Sequence, residues 1–285
     1  MSTVNATGRH PGRLTLTGPP IPKEHGAWVI LYAPMVLGFA AANRLAPLEW
    51  LLTTITVTSL FLGREAASLI LRGRKKHGTW LWAVIFSIAA LASGFYMLAI
   101  FSKVPLLVVG FTALLLFSIH SLLLKYSGRK RLDRTEWGEI LGVAALTLTA
   151  PAAYVSATGY LDLRAVITWL ACVAYYSSSI FYVKMWLAAA KLKKSWCETS
   201  RKKAGVQNNV YNVMLVIAVG ISASQLEPAK SAIAVLSAFA PAIIRSARGY
   251  HILSPQLPPL RKIGLQETLY AVWFTALMAV ALRLT

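Results

Sequence analysis

Long apolar stretches recur along the chain, with short polar connections between them. A helix that crosses the hydrocarbon core of a bilayer needs about 20 mostly apolar residues, each adding about 1.5 Å. Nine stretches qualify: 24–43, 47–71, 79–102, 104–125, 135–157, 162–186, 205–224, 228–247 and 264–283. Pro47 and Pro105 fall in first turns, where a missing N–H costs nothing. Asp133 and Glu136 have capping-box spacing ahead of the fifth stretch, and Gly159 and Pro228 fall in connections. Residues 1–21 are polar, carry Gly, Pro, Ser and Thr, and contain no apolar core. They predict a disordered tail. Residues 22–285 predict a single all-α domain, a polytopic membrane helical bundle of about nine transmembrane helices without internal repeats.

Composition agrees with that pattern. Hydrophobic residues make up 56% and charged residues 14%, against about 25% charged in soluble domains. A net charge of +19 would ordinarily point to nucleic acid. Here the charge lies in strips between apolar runs, so the bilayer is the expected partner and nucleic acid is not. Of the 29 Lys and Arg residues, 24 fall in the tail and in alternate connections or the span ends beside them. The remaining five are Arg44, Lys103, Arg164, Lys230 and Arg283. Because cytoplasmic loops retain basic residues, the N-terminus is expected inside and the C-terminus outside. Cys172 and Cys197 provide neither a disulfide framework nor metal-ligand spacing. Residues 187–204 alternate aromatic or Leu residues with Lys and Arg, and read either as a helix lying on the headgroups or as a solvated basic loop.

Ionisable groups inside a span cost about 2.5–3.5 kcal/mol each on insertion scales and need a partner or a wet cavity. Arg64 and Glu65 lie roughly 25 Å along the second stretch, in its inner third. His120 reaches a similar depth in the fourth, and Glu139 lies one turn into the fifth. Ser177, Ser178, Ser179 and Tyr182 in the sixth, Asn208, Tyr211 and Asn212 in the seventh, and Glu267 in the ninth fall at the same level. The first stretch opens Pro22-Lys23-Glu24-His25-Gly26-Ala27-Trp28. Lys23 at a helix N-terminus is unfavourable unless something anionic lies nearby, and Gly26 would permit close backbone approach. Together these residues predict one cytoplasm-facing cavity ringed by cations. Each also has a plainer role: Arg64 and Glu65 as structural ion pairs, His120 and the asparagines as interhelical hydrogen-bonding groups, Glu136 as a cap. Lys125, Lys184 and Arg245 are expected to reach the headgroups by snorkelling.

The segments PKEHGAW at 22–28, Arg64-Glu65-Ala66 and Gly138-Glu139-Ile140-Leu141-Gly142 resemble the YwiC-like family of bacterial membrane proteins. The resemblance extends over nearly everything after the tail and implies a bacterial inner membrane location, without naming a reaction. The stretch from Lys130-Arg131 to Gly138-Glu139 is more distantly similar to the UbiA superfamily of intramembrane prenyltransferases. That likeness implies nine spans, an inner N-terminus and a cytoplasm-facing cavity. The superfamily's two Asp-rich magnesium motifs have no counterpart: after Arg64 and Glu65 no acid occurs before Asp133, and after Tyr182 none before Glu198. Magnesium requires several oxygen ligands, so neither a metal nor a cofactor is expected.

These features support a protein that binds or modifies an anionic or quinone-like (isoprenoid) lipid. Lys23, Arg64 and Lys125 would meet negative charge, with Glu24, Tyr182, Asn208 and Asn212 as further ligand contacts. His25, Glu65, His120 and Glu139 are candidates for proton transfer if the protein is an enzyme, a point the sequence leaves open. A small-solute transporter and a non-catalytic membrane assembly factor are the alternatives.

Overall fold

A computed structural model describes residues 18–21, 25–71, 73, 78–126 and 135–284. The predicted tail therefore lies largely outside the described residues, as do Lys23, Glu24 and the 127–134 connection. The described residues form an all-helical membrane bundle: α1 (His25–Ala42), α2 (Pro47–Leu71), α3 (Thr79–Ala99), α4 (Leu106–Tyr126), α5 (Glu136–Thr147), α6 (Thr149–Thr158), α7 (Leu163–Lys191), α8 (Glu198–Ser224), α9 (Ala229–His251) and α10 (Leu260–Leu284). Each expected span has its helical counterpart. The fifth is divided in two.

The division has a local cause. Pro151 cannot donate to a carbonyl one turn back, so the helix ending at Thr147 restarts at Thr149. Carbonyls exposed by the break need new donors, because hydrocarbon supplies none. Trp169 of α7 donates its Nε1–H to the Ala144 carbonyl at 3.0 Å, and the Thr147 hydroxyl donates to Val143 at 2.9 Å. The Thr149 hydroxyl donates across to the Leu31 carbonyl of α1 at 2.7 Å.

Among the described residues, seven rods are long and apolar enough to cross a membrane, counting α5 and α6 as one, and α1 forms a shorter apolar helix. In α2, Thr53, Thr54, Thr56 and Thr58 and the Arg64-Glu65 pair lower the hydropathy. Each of those threonine hydroxyls donates to the carbonyl four residues earlier at 2.6–2.8 Å, so α2 buries them satisfied. The core lies where α1, α6, α7, α9 and α10 meet. There Tyr175 stacks on Phe274 with centroids 3.9 Å apart, and Phe239 meets the same ring edge-on. Outward-facing Leu91, Phe95 and Phe111 suit contact with acyl chains rather than water.

Contacts sort the connections into two ends. Lys103 lies beside Gly159, and the Arg164 guanidinium meets the Leu282 carbonyl, at a charge-poor end. Arg64, Lys184 and Arg201 make their contacts at the opposite, basic end. Here α7 runs 29 residues, about 43 Å against a hydrocarbon core of about 30 Å. It leads through a 3-10 turn, Lys193–Ser195, into α8 at Glu198. Residues 187–204 are thus neither a helix of their own nor a long loop, because α7 continues to Lys191 and α8 begins at Glu198. Gly26 meets no neighbour; the close approach occurs at Gly38 instead. Thr135, rather than Asp133, caps α5, accepting from the Gly138 N–H at 3.3 Å.

Candidate functional site

At the basic end a row of polar side chains runs from α2 to α7. The Arg64 guanidinium carbon stands 5.6 Å from the centre of the Phe117 ring of α4. One turn further along α4 is His120. A Cβ on Gly142 of α5 would lie 3.9 Å from His120 Cε1, so the imidazole rests over the glycine of that helix. Glu139 lies one turn before Gly142, and its carboxylate is 3.5 Å from Lys184 Nζ of α7. Glu136 reaches the same ammonium at 3.6 Å.

The sequence explains the row. Two acids in the first turn of α5 complement its helix dipole, and their spacing places both on the α7 side. Glycine at 142 leaves room for an imidazole. Lys184 is mostly buried while both carboxylates are about one-third exposed, so solvent screening keeps these ion pairs modest. Lys184 is therefore held by two acids instead of snorkelling. The row offers guanidinium, imidazole, carboxylate and ammonium groups, which suit an anionic headgroup and acid–base chemistry, and it contains no covalent nucleophile.

A second cluster occupies the other side of α7. Tyr182 and Lys184 are two residues apart, about 200° around the helix, so α7 separates the two groups. Arg245 of α9 is almost fully buried and pairs with Glu267 of α10. It also donates to Ser178 at 3.1 Å and lies 4.7 Å above the Tyr182 ring. Ser179 donates to the Glu267 carboxylate. Glycines admit the aromatic rings: Tyr182 fills the notch at Gly249, and Tyr250 the notch at Gly205. Arg245 was expected at the headgroups; Glu267, on a helix distant in sequence, keeps it inside. A carboxylate within the last apolar stretch was the available signal that a buried cation had to exist.

The remaining expected residues fall around these two groups. Glu65 follows Arg64 on α2, half-buried, and Lys125 continues α4 beyond His120. His25 is the first residue of α1. Asn208 is buried in α8 and bonds weakly to Asn209. Asn212 is half-buried, one turn from Asn208. Tyr211 donates to the Ala174 carbonyl at 2.7 Å and stacks on Phe181, tying α8 to α7. The residues expected around one cavity are thus distributed over both sides of α7. Two grooves also open between helices. One, of 380 Å³, lies against Phe39, Trp50 and Ala279 towards the charge-poor end. The other, of 330 Å³, lies between α9 and α10. Neither is lined by Arg64, His120 or Glu139.

Residues 21–154 match the family described as YwiC-like protein. A curated relative, "Uncharacterized protein YwiC" of Bacillus subtilis (strain 168), is 28% identical over 165 residues. The alignment spans 58% of this chain and 65% of that protein, short of two-thirds of the relative's length. No solved structure matches. All three motifs that carried the resemblance lie within the matched segment, as do Arg64, His120 and Glu139, whereas Lys184 and the Arg245–Glu267 cluster lie beyond it. From Ile21 to Tyr154, α1 through the middle of α6, this chain is similar to the YwiC-like family.

Proposed function

We propose that the protein binds an anionic or quinone-like lipid of the inner leaflet at its basic end, which faces the cytoplasm of a bacterial cell. The supporting observation is the Arg64–Phe117 contact between α2 and α4. Helix α3 packs chiefly on α2, and α4 on α5 and α6. The α2–α3 hairpin and α4 therefore share no broad packing face, and their boundary is open to lipid. A headgroup entering there meets Arg64 first, then His120, then Glu139 with Lys184. Lys23, Glu24 and Lys125 would add to the same field, and His25, Glu65, His120 and Glu139 supply protonatable groups. Native mass spectrometry of protein extracted with its lipids tests this. A specific anionic lipid or quinone should accompany the wild type and be lost from the Arg64→Leu/Glu65→Leu double variant. Equal retention by a correctly inserted variant removes these residues from the site.

One observation favours a transporter instead. Spans broken within the bilayer often bound substrate sites, and α5–α6 is broken at Leu148, next to the Thr149 bond to the Leu31 carbonyl of α1. Solute flux through reconstituted vesicles, abolished by changes at Thr147 or Thr149 while lipid retention is unaffected, would establish that reading over the first.

A further inference from the structure

We propose that the groove between α9 and α10 is a separate site for one anionic phospholipid, with its phosphate at Arg248 and an acyl chain lying along Ile244, Pro241 and Trp273. The groove is lined by Ser237 and Ala240 at its far end and by Arg245 and Arg248 at the basic end. That distance is eleven residues of α9, about 16 Å, comparable to the hydrocarbon depth of one leaflet, about 15 Å. Its walls include Ile244 and Trp273, both more than half exposed, so it opens sideways into the lipid. Trp273 crosses it, donating its indole N–H to the Ser237 carbonyl at 2.9 Å and fastening the apolar end.

The polar end is built for negative charge. Arg245 has its charge balanced by Glu267, yet its buried Nε has no hydrogen-bond partner. Arg248, one turn later, is exposed and lies on the same groove. Arg261 and Lys262 open α10 beside the connection from α9. A free anion would leave the apolar length of the groove unfilled, and a neutral lipid would leave its cationic end unmatched. An anionic phospholipid satisfies both. This site lies across α7 from Arg64 and outside the YwiC-like segment, so it stands or falls independently of the reading above.

Native mass spectrometry of delipidated full-length protein, titrated with phosphatidylglycerol or phosphatidylcholine, provides the test. Wild type should retain phosphatidylglycerol in preference to phosphatidylcholine. Arg248→Ala should bind it about tenfold more weakly, the loss of one charge-assisted hydrogen bond, while Arg248→Lys should remain within a few-fold. With Arg64 and Glu65 both replaced by Leu, so that only this groove reports, Lys103→Ala at the charge-poor end should leave the adduct unchanged. Wild-type affinity in Arg248→Ala, or equal binding of the two lipids, overturns the proposal. So does competition by millimolar inorganic phosphate strong enough to remove the lipid, which would make this a free-anion site.

Discussion

Gly38 of α1 presses against the backbone of Ala150 in α6: a Cβ on Gly38 would stand 2.0 Å from the Ala150 carbonyl oxygen. Backbone cannot swing aside as a side-chain tip can, so the two helices would have to separate. Gly38→Ala should lower stability by about 2–3 kcal/mol, at the upper end of overpacking costs. Gly94→Ala in α3, where an added Cβ meets nothing, should be neutral or gain up to about 1 kcal/mol of helix propensity. Thermal unfolding in detergent, followed by fluorescence-detected gel filtration, compares the two.

The Arg245–Glu267 pair gives a different pattern. Removing one member leaves a buried charge uncompensated, so Arg245→Met or Glu267→Leu alone should cost about 3–5 kcal/mol. The double variant should recover most of that loss, because apolar replacements of similar volume fit a buried site well. A double-mutant cycle of melting temperatures reads the coupling. Additive losses would mean that the two groups do not act as a pair.

Glu139 should behave otherwise. Its carboxylate is partly exposed, so Glu139→Gln should cost less than about 1 kcal/mol. Under the proposed function the same change weakens lipid retention at unchanged melting temperature. Loss of both together would reduce Glu139 to a structural ion-pair partner of Lys184.

Helix positions were legible from hydropathy because Pro47, Gly159 and Pro228 punctuate the chain where the spans end. Pro151 was equally visible, but its effect depends on whether Trp169 and Thr147 can take over the freed carbonyls, which only packing reveals. The Lys-rich segment 187–204 reads as a headgroup helix or a basic loop rather than as the ends of α7 and α8, since a hydropathy pattern ends where water begins, while the helix does not. Likewise nothing in the chain distinguishes Gly26 from Gly38, because the partner at Ala150 is distant in sequence. For the site, the pattern places Arg64, His120 and Glu139 at one depth; in the fold Arg64 meets Phe117 and His120 lies over Gly142. The pattern could not show that Tyr182 and Arg245 belong to the opposite side of α7.

Cys197, exposed at the N-terminus of α8, has its thiol held below the ordinary value by hydrogen bonds from Ser200. The thiolate is the reactive form, so maleimide labelling should set in at a lower pH than for a free thiol. Ser200→Ala should move that onset upward. An unchanged pH profile in the variant would remove Ser200 as the cause.

The same cysteine tests whether the basic end faces the cytoplasm. Cys172 is fully buried and provides an internal control. A membrane-impermeant maleimide should modify Cys197 in inside-out vesicles and leave it untouched in intact spheroplasts, with Cys172 reacting only after denaturation. Labelling of Cys197 from the outside of intact spheroplasts would invert the bundle and remove the inner-leaflet site with it.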